Sequence, residues 1–447
     1  MSVEGTVSEH PPVAASERVS WALFDFANSP FATLMITVFY GKFFQEHIVP
    51  AHLRHRAHTL WAITVSSAMA LVALSSPVVG AIADRSGRKR PLLWGYVAVC
   101  AIATVVTGLV PLGSTAGMIL AMSAMVVANA AFEGGYVFYN AYLPELADKN
   151  EAGKLSGSAW ALGYVGGLSV LGLVLVFSLM PESDGAHRVT AVVSDRWRWI
   201  PALVAIWYVL FSLPLLLHVR ERAPRHGAPP DGWIRGGFRG VRETVRALRG
   251  YPDLVKFLVA YLVFTDALET VLVFTATFSS EVLHFTNDDN AKLFLVLNVC
   301  AIPGALVFGR LVDRWGGVKS VATTLVIWLM VVAGSVLVQT KAQFLAVGVL
   351  AALGVGGTQA ASRAVVSKFV PQSESARVFG FMTLAGRASA VFGPLVYGLV
   401  ADATGSIRAA VGTVSLFFIA GLLLLARVNA PRALARVEEV ERAQREA

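Results

Sequence analysis

Residues 80–89 read GAIADRSGRK, and residues 309–319 read GRLVDRWGGVK. Both stretches begin with a glycine, carry an Asp-Arg pair four residues later and continue to a glycine and a basic residue. A second repeat is separated by almost the same number of residues, because Gly157 and Gly163 correspond to Gly380 and Gly386. The repetition predicts two homologous halves of similar length.

Long apolar runs surround these stretches. Hydrophobic residues make up 55% of the 447 positions and charged residues only 15%, whereas a soluble domain has roughly 25% charged residues. The runs are about 20 residues long, which is the length of a helix that crosses a ~30 Å hydrocarbon core at ~1.5 Å per residue. Twelve are predicted as transmembrane helices, at about 20–45, 59–83, 91–110, 116–143, 156–180, 199–218, 253–282, 291–312, 319–338, 343–369, 375–400 and 407–427.

The predicted fold class is therefore an all-α integral membrane protein, with twelve transmembrane helices in two pseudo-symmetric six-helix bundles. Two parallel halves suit a protein whose lobes rock around a site between them. The predicted divisions are an N-terminal segment at 1–19, a first bundle at 20–218, a basic linker at 219–250, a second bundle at 251–427 and a tail at 428–447.

The basic residues orient the bundle. With both termini inside, only nine of the 37 lysines and arginines fall on outer loops and helix ends: Lys42, Arg54, Arg56, Arg188, Arg196, Arg198, Lys292, Lys341 and Arg408. An excess of positive charge on the inner side is the usual rule for membrane proteins. We therefore expect a multi-pass cell-membrane protein with cytoplasmic termini. The net charge of +8 reflects this topology, and no nucleic-acid-binding motif competes with it.

The linker has the pattern of an amphipathic helix. Phe238, Val241, Val245 and Leu248 recur at helical spacing, and five arginines take much of the remaining surface: Arg235, Arg239, Arg242, Arg246 and Arg249. Such a helix would lie on the anionic inner leaflet. The alternative is a disordered basic loop, because three glycines weaken the first turn. The charged tail is predicted to be helical and is given no function.

The sequence lacks the motifs of several functional classes. Cys100 and Cys300 lie inside apolar runs and match no metal-binding spacing, so we expect packed thiols and neither a metal nor a cofactor. The nucleotide-binding pattern GxxxxGK[ST] is absent, as are GxSxG and HExxH. No cleavable signal peptide is recognisable. We expect no enzymatic activity.

The stretch at 80–89 resembles the loop signature of the major facilitator superfamily. Further stretches are similar to one branch of it, the bacterial relatives of the yeast autophagy-related vacuolar amino-acid effluxer. They are WALFDFANSP at 21–30, NAYLPEL at 140–146, LGYVGG at 162–167, GGTQAASR at 356–363, and FGF at 379–381 with Gly-Pro at 393–394. The resemblance implies the major facilitator fold, efflux of amino acids or similar small solutes, and a central cavity lined by helices 1, 4, 7 and 10.

Ionisable side chains inside the membrane are the candidates for chemistry, because each costs about 2.5–3.5 kcal/mol to insert. In the first half, helices 1 and 4 carry five polar candidates that we expect to face each other: Asp25, Asn28, Asn129, Glu133 and Tyr136. Pro30 is expected to bend helix 1. The structural alternatives are a salt bridge at the inner surface for Asp25 and a pair with a neighbouring helix for Glu133.

In the second half, Asp266 and Glu269 are three residues apart on helix 7 and are expected to share a face. Two neighbouring carboxylates do not both ionise readily, so the pair suits a proton-carrying site. Gln359 and Arg363 lie on helix 10, and Arg387 lies on helix 11. Arg387 is the expected counter-charge for the helix 7 acids or for a substrate carboxylate, because guanidinium binds carboxylate through two parallel bonds. The alternatives are local pairing of Glu269 and a purely structural Arg387.

The repeated loop motif is expected to control an inner gate. Asp84 can accept hydrogen bonds at a helix N-terminus, and the resemblance places that N-terminus at the start of helix 11. Arg88 is expected to pair with Glu145, while Asp313 and Arg314 repeat the arrangement from the second half. Arg85 belongs to the same motif. These contacts would hold the outward-open state.

Three functional readings follow. The first is a secondary active transporter, monomeric, that moves a small solute by alternating access, with protons as the coupling ion. The second is a facilitator without ion coupling, and the third is a receptor or scaffold, which would need no buried charges. Within transport, a multidrug exporter is the main rival to an amino-acid transporter. Drug exporters of the superfamily usually carry Gly-Pro in helix 5, where this chain has Gly166-Gly167.

Overall fold

A computed structural model describes residues 13–179, 197–222, 248–389 and 392–446, together with positions 239, 242, 243, 245 and 246. The described residues form helices and their connections. The long helices are α1 Ala15–Pro30, α2 Ala57–Ser86, α3 Lys89–Leu109, α4 Thr115–Ala141, α5 Ala152–Leu179, α6 Ile200–His218, α7 Pro252–Leu283, α8 Asn287–Trp315, α9 Gly317–Leu337, α10 Lys341–Lys368, α11 in two pieces Ser375–Ser389 and Phe392–Thr404, α12 Ile407–Leu425 and α13 Ala430–Glu446.

These bounds match the twelve predicted spans closely. Ten of the helices are long and apolar enough to cross a membrane, and the bent first helix brings the number to eleven. The twelfth span is α11, whose second piece contributes the short apolar helix Leu395–Thr404. The predicted helical tail is confirmed by α13. The predicted amphipathic helix of the linker lies largely outside the described residues.

The first span departs from its prediction at the bend. After Pro30 the chain continues without a break as the π-helical segment Phe31–Val38. The bend of 44° falls further on, between Ala15–Val38 and Tyr40–Ile48. The Phe26 carbonyl, which Pro30 leaves without a helical N–H donor, accepts from the Trp207 indole N–H at 3.1 Å, so a neighbouring helix supplies the bond that proline cannot.

Helices α1–α6 and α7–α12 form two halves that meet along two pairs of helices, α2 with α11 and α5 with α8. Glycines allow each close approach, because larger residues would keep the backbones apart. A Cβ at Gly80 would lie 2.4 Å from the Ala376 carbonyl oxygen, and one at Gly309 would lie 2.6 Å from the Gly153 carbonyl oxygen. The repeated glycines therefore perform the same packing task in both halves.

Candidate functional site between the two halves

A cavity of about 250 Å³ lies between the halves. Helices α1, α4, α7 and α10 contribute to its wall, as the resemblance implies, and α5 and α11 complete it. Its polar and aromatic lining residues are Asn28, Ser29, Phe132, Glu133, Tyr136, Asn140, Trp160, Tyr261, Thr265, Glu269, Gln359, Arg363, Phe379, Thr383 and Arg387. The site is therefore a mixed surface with four charged side chains at its wall.

An ion pair joins the two halves inside the cavity. The Arg387 guanidinium of α11 donates to the Glu133 carboxylate of α4, and Glu269 of α7 is the second carboxylate beside this arginine. We expected Arg387 to pair with Asp266, with Glu269 or with a substrate carboxylate. That prediction of its bonded partner was wrong, because α11 packs against α4 as well as α7 and brings Glu133 into reach.

A second ion pair closes one end of the cavity. The Arg363 Nη1 of α10 donates to the Asp25 carboxylate of α1 at 2.9 Å, and both side chains are buried. The Tyr136 hydroxyl lies 3.3 Å from Asp25 Oδ1 and 3.2 Å from the side-chain oxygen Oδ1 of Asn28. Gln359 lines the cavity one turn before Arg363. Asp25 is thus absent from the lining of the described cavity and is held in a buried salt bridge beside it.

Beyond this pair lies the side of the bundle that carries both described chain ends, which we call the terminal side. There Asp84 accepts hydrogen bonds from the backbone N–H groups of Ala376 and Arg377 at 2.9 and 2.8 Å. The Arg377 side chain adds a third bond at 3.2 Å. The predicted docking of Asp84 on the start of α11 is confirmed.

The partner of Glu145 differs from the prediction. Gly87 ends α2 in the left-handed conformation at φ 57°, so Arg88 remains exposed and the next residue turns inward. Lys89 Nζ therefore donates to Glu145 at 2.6 Å and to Ser375 Oγ at 2.8 Å, in a fully buried network. Lys89 takes the place that we had given to Arg88.

The second copy of the motif docks in the same manner. Asp313 accepts from the backbone N–H groups of Gly153 and Lys154, at the start of α5, at 3.0 and 2.6 Å. Lys368 pairs with it at 2.8 Å. Arg314 remains exposed and forms no described bond, contrary to its predicted role, and the buried Nε of Arg85 also has no described partner.

Besides Asp25, two predicted site residues are absent from the cavity lining. Asn129 is buried and neither polar atom of its side chain has a described partner. Asp266 faces α11, since a Cβ at Gly393 would lie 3.1 Å from its Oδ1 atom. Residues three apart on a helix differ by about 60° in direction, and this is enough to separate Asp266 from Glu269. The expected pair of carboxylates on α7 is not formed.

Sequence reasoning missed the aromatic surroundings of Arg363. Trp21, Tyr139 and Trp160 place their rings 5.0, 5.5 and 5.4 Å from the guanidinium carbon, and Ser156 accepts two further bonds from it. Trp21 lies in the quoted stretch WALFDFANSP, four positions before Asp25. That helical spacing, which places both side chains on one face of α1, was the available signal.

The two pseudo-symmetric halves, the cavity between them and the docked loop motifs define a membrane transporter of the major facilitator superfamily. The chain belongs to the family described as "Vacuole effluxer Atg22 like", whose sequence model matches residues 46–438. These transporters are not enzymes.

Related proteins support this placement. The chain is 25% identical over 410 residues to the "Uncharacterized MFS-type transporter YxiO" of Bacillus subtilis, covering 92% of this chain and 94% of that protein. It is 24% identical over 308 residues to "Autophagy-related protein 22" of Eremothecium gossypii, covering 64% of this chain and 58% of that protein. The chain thus spans little more than half of the fungal relative.

Solved structures of the superfamily share the fold. The E. coli fucose:proton symporter FucP superposes with a TM-score of 0.70 at 14% identity, covering 93% of this chain and 98% of FucP. The human organic anion transporter MFSD10 gives a TM-score of 0.68 at 16% identity, covering 93% of this chain and all of MFSD10. At these identities the likeness concerns architecture alone.

Proposed function

We propose that this protein is a secondary active transporter that exports a small zwitterionic solute, an amino acid or a close analogue, across the cell membrane in exchange for protons. The observation that carries the proposal is the charged cluster formed by Glu133, Glu269 and Arg387 at the cavity wall. It offers one guanidinium and two carboxylates, so a carboxylate and an ammonium group on one solute both find partners of opposite charge.

The charge count of the cluster supports coupling to protons. Glu133 balances Arg387 and Asp25 balances Arg363, so Glu269 remains as the excess carboxylate among the charged groups of the cavity and its closed end. A negative charge without compensation is costly in a membrane. In the empty site a proton neutralises Glu269, and in the loaded site the ammonium group of the solute does so. Competition for one carboxylate makes solute and proton alternate, which is antiport.

The size of the cavity favours a small solute over a drug. Sites for drug-sized ligands have volumes of about 300–1,000 Å³, and this cavity, at about 250 Å³, is smaller than that range. The rival functions are a multidrug exporter and an uncoupled facilitator of the same fold. The proposed location is the cell membrane with cytoplasmic termini, so the closed terminal side is the inner side and this state faces outward.

The test is exchange in proteoliposomes. Purified protein is reconstituted with a radiolabelled neutral amino acid inside, and release is followed with and without an inward proton gradient. We expect the gradient to accelerate release, and Glu269→Gln to retain exchange of labelled for unlabelled solute while losing its response to the gradient. The matched control is Glu281→Gln, an exposed carboxylate on the same helix.

Three results would reject parts of the proposal. Release of a cationic drug but of no amino acid would favour the multidrug reading. If release from Glu269→Gln vesicles still accelerates with the proton gradient, Glu269 is not the coupling group. If the wild type itself shows no acceleration, the protein is an uncoupled facilitator.

A further inference from the structure

The pair of Arg363 and Asp25 has a geometry that differs from an ordinary salt bridge. Arg363 belongs to the second half, but every side chain that surrounds its guanidinium in the described contacts belongs to the first half. We name this surrounding group the arginine socket, and its members are Trp21, Asp25, Tyr139, Ser156 and Trp160.

The arginine socket complements a guanidinium group on several sides. Asp25 accepts from Nη1 at 2.9 Å, and Ser156 accepts from Nε at 2.9 Å through its hydroxyl and from Nη2 at 2.8 Å through its carbonyl. Three aromatic rings lie within 5.5 Å of the central carbon, inside the range in which cations are attracted to ring faces. A carboxylate with aromatic walls is a general solution for binding organic cations.

The arginine socket is also continuous with the transport cavity. Arg363 and Trp160 contact each other in the arginine socket and also line the cavity. Tyr136, in the cavity wall, lies within hydrogen-bonding distance of Asp25. A solute that leaves or enters the cavity on the terminal side must therefore pass this position. The pair is buried, and buried ion pairs are a weak source of stability compared with apolar packing, so stability alone does not account for it.

Opening of the terminal side withdraws Arg363 from the socket, because the two partners belong to opposite halves. Asp25 would then remain without its counter-charge among aromatic rings, an unfavourable arrangement unless another cation enters. We propose that the arginine socket is an organic-cation subsite in the state open to the terminal side, and that Arg363 occupies it in the closed state as a tethered substitute for the guanidinium or primary ammonium group of a solute.

This inference rests on the proposed alternating-access cycle and adds a step to it. The solute first places its cationic group against Asp25. Closure returns Arg363 to the socket and releases the cation toward the cavity, where Glu269 and Glu133 receive it. Loading the solute and closing the gate are then one exchange of cations at a single carboxylate.

The test is binding of methylguanidinium to purified full-length variants, measured by titration calorimetry. Arg363→Ala empties the socket, so we expect saturable binding that the wild type lacks in its closed state. The double variant Arg363→Ala/Asp25→Asn should bind at least about tenfold more weakly, a difference of about 1.4 kcal/mol. Arg310→Ala is the control, since it removes an exposed arginine of the same half whose described side-chain bond goes to the backbone of its own helix. No saturable binding to Arg363→Ala, or equal binding to the double variant, would overturn the proposal.

A second measurement uses otherwise native protein and does not depend on folding of the alanine variant. Arg88 and Arg314 are exposed, lie in opposite halves on the terminal side and form no described side-chain bond. Spin labels on Arg88→Cys and Arg314→Cys, with Cys100 and Cys300 replaced by serine, report the opening as a distance.

Methylguanidinium should increase the open population relative to the same concentration of sodium chloride, and Asp25→Asn should abolish this response. No response above the salt control, or a response that survives Asp25→Asn, would contradict a cation subsite. Because neither measurement uses amino-acid transport, their outcome is separate from that of the proposed function.

Discussion

The two copies of the loop motif perform the same docking in different surroundings. Asp84 of the first half docks on the start of α11 with only 1% of its side chain exposed, whereas Asp313 of the second half docks on the start of α5 with 12% exposed. The first copy is extended by the buried pair of Lys89 and Glu145. The second copy has Lys368 on Asp313 itself and no described counterpart of that buried network.

The difference shows that two copies of one motif need not contribute equally to the stability of the closed state. Electrostatic interactions are stronger where water is excluded, and an unpaired charge there is also more costly. The first copy should therefore dominate the closed state of the terminal side, and the second should contribute a weaker contact that water and salt can partly replace.

The largest expected effect is the removal of the buried lysine. Lys89→Met leaves Glu145 uncompensated with 1% of its side chain exposed, and breaking a buried pair costs about 3–5 kcal/mol. Lys368→Met, the matched change in the second copy, should cost less because both partners keep some contact with water. The measurement is the apparent melting temperature of each variant in detergent.

The double variant Lys89→Met/Glu145→Leu serves as the control, since replacing both charged partners by apolar groups can be nearly neutral. It should regain most of the lost stability. Equal losses for Lys89→Met and Lys368→Met would show that burial does not distinguish the two copies.

The second effect concerns the equilibrium between states. Asp84→Asn weakens three hydrogen bonds to a charged acceptor, and such bonds contribute about 1.5–3 kcal/mol each. Even one such loss changes the open-to-closed ratio by about tenfold. We expect the spin-label distance between positions 88 and 314 to move to the open distribution in Asp84→Asn, and to move less in Asp313→Asn. A larger shift for Asp313→Asn would reverse the ranking of the copies.

The sequence predicted the parts of this site that repeat. The glycine and aspartate of each motif are local, so the resemblance implied the docking of Asp84 on α11 and the repeat implied an equivalent contact for Asp313, whose site on α5 only the structure gives. Neighbouring positions were harder to separate. Arg88 and Lys89 are adjacent, and only the left-handed turn at Gly87 decides which of them points inward.

The partners of single side chains inside the bundle were harder to predict. Residue number gives the depth of a side chain along a helix, but it gives neither the rotation about the helix axis nor the nearest neighbouring helix. This is why Arg387 was assigned to α7 although it bonds Glu133 on α4, and why Asp266 was placed in a cavity that only Glu269 reaches.

The third prediction tests where the copies should be alike. Gly80→Ala and Gly309→Ala each place a methyl group within 2.6 Å of a backbone oxygen of the opposite half, so the helices must move apart in both. We expect similar destabilisation of the closed state, seen as similar shifts of the spin-label distance. Gly95→Ala is the control, because nothing lies within 4 Å of its Cβ position. Very different shifts would show that the backbone contacts also differ in importance.

The smallest expected effect concerns the helical tail, whose contacts join the two halves at the surface of the terminal side. Helix α13 is fastened to the second half, where Arg432 donates to Asp253 at 2.5 and 2.9 Å. Its middle reaches the first half, where Lys149 lies 3.4 Å from Glu438 and 3.9 Å from Glu441.

These last pairs cross between the halves, so they must break when the terminal side opens, but they are exposed to water and such pairs contribute about 0.2–1 kcal/mol. Lys149→Ala should therefore change the open-to-closed ratio by only about 1.4- to fivefold, and added salt should reduce the difference from wild type because it screens exposed charges. Lys154→Ala is the matched control, since its exposed ammonium has no described acidic partner. A shift as large as that of Asp84→Asn, or one that salt does not reduce, would mean that the tail closes the gate by packing of its buried Val437 and Ala433 rather than by charge.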